Sequence, residues 1–82
     1  MSEDGSVQVP LVIGIDLGGT HIRAAILQGA QILARAATLT GEDPTPERVL
    51  PRIFATVQQA LDEAGVGIDA ISGVGVAAPG PL

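Results

Sequence analysis

The sequence predicts an α/β fold on a mixed four-stranded sheet in the order 3-2-1-4, crossed by a single helix. Three observations carry this. Short β-branched runs follow one another over residues 11–39 with only tight turns between them, which marks an antiparallel meander. A helical pattern with a Thr-Pro start and a glycine stop comes next, over 45–65. A last apolar run then completes a strand–helix–strand unit, which must lie parallel to a strand of the meander and be reached in a right-handed sense.

Met1 to Gln8 reads as a disordered leader, and the domain as residues 9–82. Pro10 suits the first residue of a strand, where no ladder donor is needed. Leu11 to Leu17 is apolar on both faces, as a central strand covered on both sides would be. Gly14 inside it is either a weak point or a place of close packing. Ile22 to Gln28 forms the second strand, with Ile22, Ala24 and Ile26 on one face and Arg23, Ala25 and Leu27 on the other. Gln28-Gly29-Ala30-Gln31 predicts a type II′ hairpin turn with Gly29 at its first central position. Gln31 to Leu39 is the third strand, and Thr40 to Thr45 a loop by composition.

Thr45 is the expected N-cap, Pro46 the first helical residue and Glu47 the acid of the first turn. Leu50, Ile53, Phe54, Val57, Leu61 and Ala64 recur at helical spacing and predict the buried stripe. Pro51 removes the bond to the Glu47 carbonyl, so a separate or kinked first turn is expected, with the regular helix starting at Leu50. Gly65 and Gly67 stop it. The fourth strand, Ile71 to Ala78, shares the two-sided apolar character of the first and belongs beside it. Its outer edge has no partner, and one helix covers one face of four strands. These features are expected of the front part of a larger domain, and an exposed apolar edge also favours self-association.

Composition narrows the function. The 82 residues carry a net charge of -5 with four Lys and Arg in total, and no basic cluster that would neutralise a nucleic-acid backbone. One aromatic residue, Phe54, leaves no stacking platform for single strands. With no cysteine, neither a disulfide nor a thiolate metal site can form in this chain. The acidic start is not a signal peptide, and no apolar run reaches membrane-spanning length, so a cytoplasmic protein with no nucleic-acid or membrane partner is expected.

Asp16-Leu17-Gly18-Gly19-Thr20 is the main site candidate. Gly18 and Gly19 let the backbone approach a phosphate with no Cβ in the way, and Thr20 adds a hydroxyl. Asp16, at the end of a buried strand, suits a Mg²⁺ held partly through water. The same residues also suit an ordinary hairpin turn. Gly73-Val74-Gly75-Val76-Ala77-Ala78 matches the dinucleotide string G-x-G-x-x-A, but it lies within a strand that runs into Pro79-Gly80-Pro81, where no helix can open. His21, the single histidine, reads as a polar strand-edge residue. Arg23 reads as a strand residue at the sheet's rim or as a phosphate neutraliser. Asp62 and Glu63 belong to a solvated helix face.

The run Ile13 to Ile26, I-G-I-D-L-G-G-T-H-I-R-A-A-I, resembles the first phosphate motif of the sugar kinase and actin superfamily. Its form is most similar to that of the ROK family of bacterial sugar kinases and repressors, the glucokinases in particular. The run Gly73 to Leu82 resembles the ROK segment in which a strand ends in a Pro-Gly-Pro loop beside the sugar. The resemblance implies the early part of the first actin-like, or ribonuclease H-like, domain of an ATP-dependent sugar kinase. It places Asp16 near the metal and the transferred phosphate, Gly18, Gly19 and Thr20 in the phosphate turn, and Gly80 beside the sugar. ATP, Mg²⁺ and a hexose such as glucose are the implied ligands, and a homodimer the implied assembly. The family's catalytic base sits in an Asn-Asp pair after the Pro-Gly-Pro loop, and a zinc site, where present, comes later still. This sequence contains no Asn, so the 82 residues alone are expected to be inactive. A sugar-responsive ROK repressor is the alternative. A self-associating module without catalysis is another.

Overall fold

In the computed structural model, described over residues 9–41 and 45–77, the chain forms four strands, one long helix and a short 3₁₀ turn. The strands are β1 (Leu11–Leu17), β2 (His21–Gln28), β3 (Gln31–Leu39) and β4 (Ile71–Ala77), and the helix α1 is Pro46–Ala64. The sheet order is β3-β2-β1-β4, as the sequence predicts. β1, β2 and β3 form the antiparallel meander, and β4 lies parallel to β1. The turn Ile68–Ala70, which the sequence pattern did not reveal, delivers the chain from α1 into β4. The predicted leader 1–8 lies outside the described residues.

Register divides the side chains between two faces. Ile13 pairs with Ile26, Ile15 with Ala24 and Leu17 with Ile22, and Ala24 pairs with Ala36 across β2 and β3. Directly opposed residues share a face, so these build the covered side of the sheet. Ile13, Ile22, Ala24, Ile26 and Ala36 are buried there, and Ala60 and Leu61 of α1 close over it. Val12, Gly14, Asp16, Arg23, Ala25, Leu27 and Arg35 share the opposite face, on which none of the described elements packs. β1 is therefore covered on one side only among the described residues.

Gly29 has φ 62°, the left-handed value a primed hairpin turn demands of its first central residue. The helix runs unbroken from Pro46, which corrects the expected start at Leu50. Pro51 costs one bond, to the Glu47 carbonyl. Both residues are exposed, so water can serve that carbonyl. At the other end Gly65 adopts φ 72°, its N–H donating to the Asp62 carbonyl and that of Val66 to the Leu61 carbonyl. These are the paired bonds of a Schellman cap.

The buried stripe of α1 also differs from the expected one. Leu61 is buried and Ile53, Val57 and Ala64 are partly so, but Leu50 is exposed and Phe54 is 67% exposed. Thr56 and Ala60 take the central places. The helix rests on β2 and β3, whose facing residues include Ala24, Ala34 and Ala36. A floor of methyl groups favours close approach by small residues. Leu50 and Phe54 fall on the flank of α1 away from β3, while Arg52, on the other flank, reaches the β3 backbone. Val74 and Val76 share the helix-facing side of the sheet with Ile13 and Ile15, and remain more than half exposed.

Candidate functional site

β1 and β4 are parallel and finish at the same end of the sheet, with Asp16 in register with Ala77. From β1 the chain first turns to one side, through β2 and β3, then crosses to the other side as β4. The β1–β4 border is thus a topological switch point, and the carboxyl ends of strands at such a point are where open α/β sheets bind ligands. Asp16 and the turn after it occupy that position. Gly80 and the Pro79-Gly80-Pro81 loop lie outside the described residues, and the string Gly73 to Ala77 is strand throughout, not the start of a helix.

The turn is built by backbone bonds. The Gly18 N–H donates to the His21 carbonyl at 2.9 Å, closing the loop between β1 and β2. A Cβ on Gly18 would sit 3.2 Å from that same carbonyl oxygen, so the tight closure accounts for this glycine. Gly19 is different. A Cβ there would meet nothing within 4 Å, and its φ is not left-handed. The fold itself does not require a glycine at 19, whereas a ligand approaching the backbone would. Gly19 and Thr20 are exposed, and their N–H groups and the Thr20 hydroxyl have no acceptor among the described residues. Two amides and one hydroxyl are thus open to an anion. Gly18 contributes shape, its own amide being spent inside the turn.

Asp16 faces Arg23 across the β1–β2 ladder, with Arg23 Nη1 and Asp16 Oδ2 3.9 Å apart. Both side chains are more than half exposed, so water screens the pair and its contribution to stability is about 0–1 kcal/mol. The separation exceeds a hydrogen bond, and the carboxylate keeps its lone pairs available. Among the described residues no cluster of three or more His, Cys, Asp or Glu forms a metal cage. One accessible carboxylate beside open backbone amides is a donor set that suits Mg²⁺, an ion that keeps several waters and takes few protein carboxylates. Arg23 is therefore the immediate partner of the acid, and not only a rim residue. His21 is half-buried at the start of β2 and contributes its carbonyl to the turn.

A shallow depression of about 980 Å³ opens on the uncovered face. Gly14, Gly75 and Ala37 form its floor, and Asp16, Arg23 and Arg35 line it. It touches the candidate site only through Asp16 and Arg23. Sequence reasoning missed Thr40. Its hydroxyl donates to the Gly18 carbonyl at 3.0 Å and its N–H to the Thr20 carbonyl at 2.9 Å. Both acceptors are backbone atoms about twenty residues away, so no sequence pattern marks them.

A mixed sheet with this strand order, crossed by one helix and carrying a glycine turn at the switch point, defines an actin-like α/β fold. The comparisons with known proteins agree. The ROK family model matches residues 12–82, and the chain belongs to the ROK family. A ROK hexokinase from Thermus thermophilus is 35% identical, with a TM-score of 0.75 over 88% of this chain and 24% of the hexokinase. Component A of the (R)-2-hydroxyglutaryl-CoA dehydratase of Acidaminococcus fermentans matches at a TM-score of 0.67 and 20% identity, covering 85% of this chain and 25% of that one. A glycerol dehydratase reactivase matches at 0.67 and 21%, over 83% and 12%. At that identity the last two share the fold alone. The chain thus spans about a quarter or less of each of these solved proteins. No curated protein sequence matches it significantly. Among the described residues no helix is long and apolar enough to cross a membrane.

Proposed function

We propose that residues 9–82 supply the phosphate-binding wall of an ATP-dependent sugar kinase that transfers the γ-phosphate to a hydroxyl of a hexose, glucose by preference. The observation that carries this is Gly19, a glycine that the fold does not need, whose own amide and that of Thr20 stand open at the carboxyl end of β1. Membership of the ROK family and the likeness to a ROK hexokinase support the reaction class. In this reading the Gly19 and Thr20 amides and the Thr20 hydroxyl hold phosphate oxygens, and Asp16 holds Mg²⁺ through water. When bound, Mg²⁺ neutralises charge on the phosphates. Asp16 orients the ion and does not deprotonate the sugar, while Arg23 faces the carboxylate across the β1–β2 ladder. Positioning and charge neutralisation are what phosphoryl transfer asks of a protein. Gly80 borders the sugar in the same reading.

The base and most of the nucleotide pocket are contributed by chain beyond these 82 residues. A coupled assay reading ADP release with ATP, Mg²⁺ and glucose is expected to give no turnover for the 82-residue chain, and turnover when the segment is joined to a longer ROK polypeptide. Steady turnover by the pure short chain would refute this division of labour. Self-association is proposed alongside, because Phe54, Val74 and Val76 are exposed and the outer edge of β4 has no partner among the described residues. Such an edge and patch invite pairing with another copy.

A further inference from the structure

We infer that Thr40 is the positioning residue that sets which way the phosphate turn presents its amides. The inference rests on the proposed phosphate site and adds a residue to it. In a planar trans peptide the C=O of one residue and the N–H of the next point in opposite directions. The Gly18 carbonyl is held by Thr40 Oγ1 at 3.0 Å, on the β3 side of the turn. The Gly19 N–H therefore points away from β3. The peptide between Gly18 and Gly19 joins two residues without side chains, which makes it the easiest plane in the turn to rotate. Rotating it would turn the carbonyl outward, where it would repel a phosphate, and would direct the amide inward. The Thr40 hydroxyl opposes that rotation.

The second bond fixes the first. The Thr40 N–H donates to the Thr20 carbonyl at 2.9 Å, extending the β2–β3 ladder by one residue beyond the His21–Leu39 pair. Thr40 is thereby locked to the far side of the turn while its hydroxyl holds the near side. Its own backbone is braced from α1. Arg52 Nη1 donates to the Leu39 carbonyl at 3.3 Å, and the guanidinium lies against Gly41, where a Cβ would stand 3.3 Å from its Cζ. Gly41 adopts φ 91°, which a side chain would resist. The corner Leu39–Gly41 thus ties the helix to the phosphate turn, with Thr40 as the link.

The test uses the 82-residue chain, labelled with ¹⁵N, in wild-type, Thr40→Val, Thr40→Ser and Thr56→Val forms. Thr56→Val is the control, because Thr56 also gives its hydroxyl to a backbone carbonyl, that of Arg52 one turn back in α1, and not to the turn between β1 and β2. Without any ligand, Thr40→Val is expected to lower the Gly19 amide order parameter, with Thr40→Ser and Thr56→Val matching wild type. Titration with inorganic tripolyphosphate and Mg²⁺ is expected to show Thr40→Val binding about three- to tenfold more weakly, the share of one neutral hydrogen bond, and Thr40→Ser within about twofold. An unchanged Gly19 amide in Thr40→Val, a Ser variant as weak as Val, or an equal loss in Thr56→Val would overturn the inference. If wild type does not bind tripolyphosphate, the phosphate reading fails and the ligand-free comparison still decides the role of Thr40. Should Thr40→Val not fold, wild type carries the test. One Gly19 resonance with a slowly exchanging Thr40 hydroxyl proton supports the latch, and two exchanging Gly19 resonances overturn it.

Discussion

Replacing Gly19 by Ala separates what the fold needs from what a ligand needs. The added Cβ would meet nothing within 4 Å, and the backbone there is not left-handed. No clash or strain opposes the substitution, and alanine restricts the unfolded chain more than glycine does. Stability should stay level or rise by about 0.4–1 kcal/mol. The ligand side behaves differently. A methyl group beside the Gly19 amide would keep a phosphate oxygen out of bonding range. Losing one charge-assisted hydrogen bond costs about 1.5–3 kcal/mol, which is about a ten- to hundredfold loss of affinity at 1.4 kcal/mol per decade. Thermal melts and isothermal titration with MgATP in one buffer read both quantities. Gly18→Ala is the contrasting case. Its Cβ would stand 3.2 Å from the His21 carbonyl oxygen, and the crowding should lower stability by about 1 kcal/mol. A Gly19→Ala chain that melts lower than wild type, or binds MgATP as tightly, would refute the reasoning.

Other substitutions probe the frame. Ile26 is fully buried, and Ile26→Ala should cost about 2–5 kcal/mol, enough to unfold a chain of this size as read by circular dichroism. Gly65→Ala places a side chain at φ 72° in the cap of α1 and should cost about 1–2 kcal/mol, read as a lower melting temperature. Phe54→Gln removes an aromatic ring that is 67% exposed. It should change stability by less than about 0.5 kcal/mol while reducing self-association in light scattering. Arg23→Gln breaks a screened pair, and a stability loss above about 1 kcal/mol would contradict the surface character assigned to it.

Much of the frame was legible in the sequence because its signals are local. β1 has the boundaries predicted from its two-sided apolar run and β3 those predicted for the strand after the hairpin, while β2 begins one residue earlier, at His21. The parallel pairing of β4 with β1 follows from the crossover alone. The helix was less legible for two reasons. Pro51 suggested a broken first turn, yet its missing bond falls where the Glu47 carbonyl is open to water. The largest apolar residues suggested the buried stripe, yet the alanine floor of β2 and β3 selects Thr56 and Ala60 and leaves Phe54 outside. Of the candidate site, Asp16 and the glycine turn could be read from residue type and order. The division of labour between Gly18 and Gly19 could not, since it depends on where a Cβ would fall. Nor could Thr40, whose composition reads as loop and whose partners are backbone carbonyls of a distant turn.

The most direct test of the phosphate wall is a ¹H–¹⁵N titration of the 82-residue chain with MgATP. The account predicts that the largest shifts fall on Gly19 and Thr20, with smaller ones at Asp16 and Thr40. It predicts none at the Gly29–Ala30 hairpin, which the β1–β2 register puts at the opposite end of the sheet. Silence at Gly19 and Thr20, or shifts gathered around Arg35 on the open face, would contradict it.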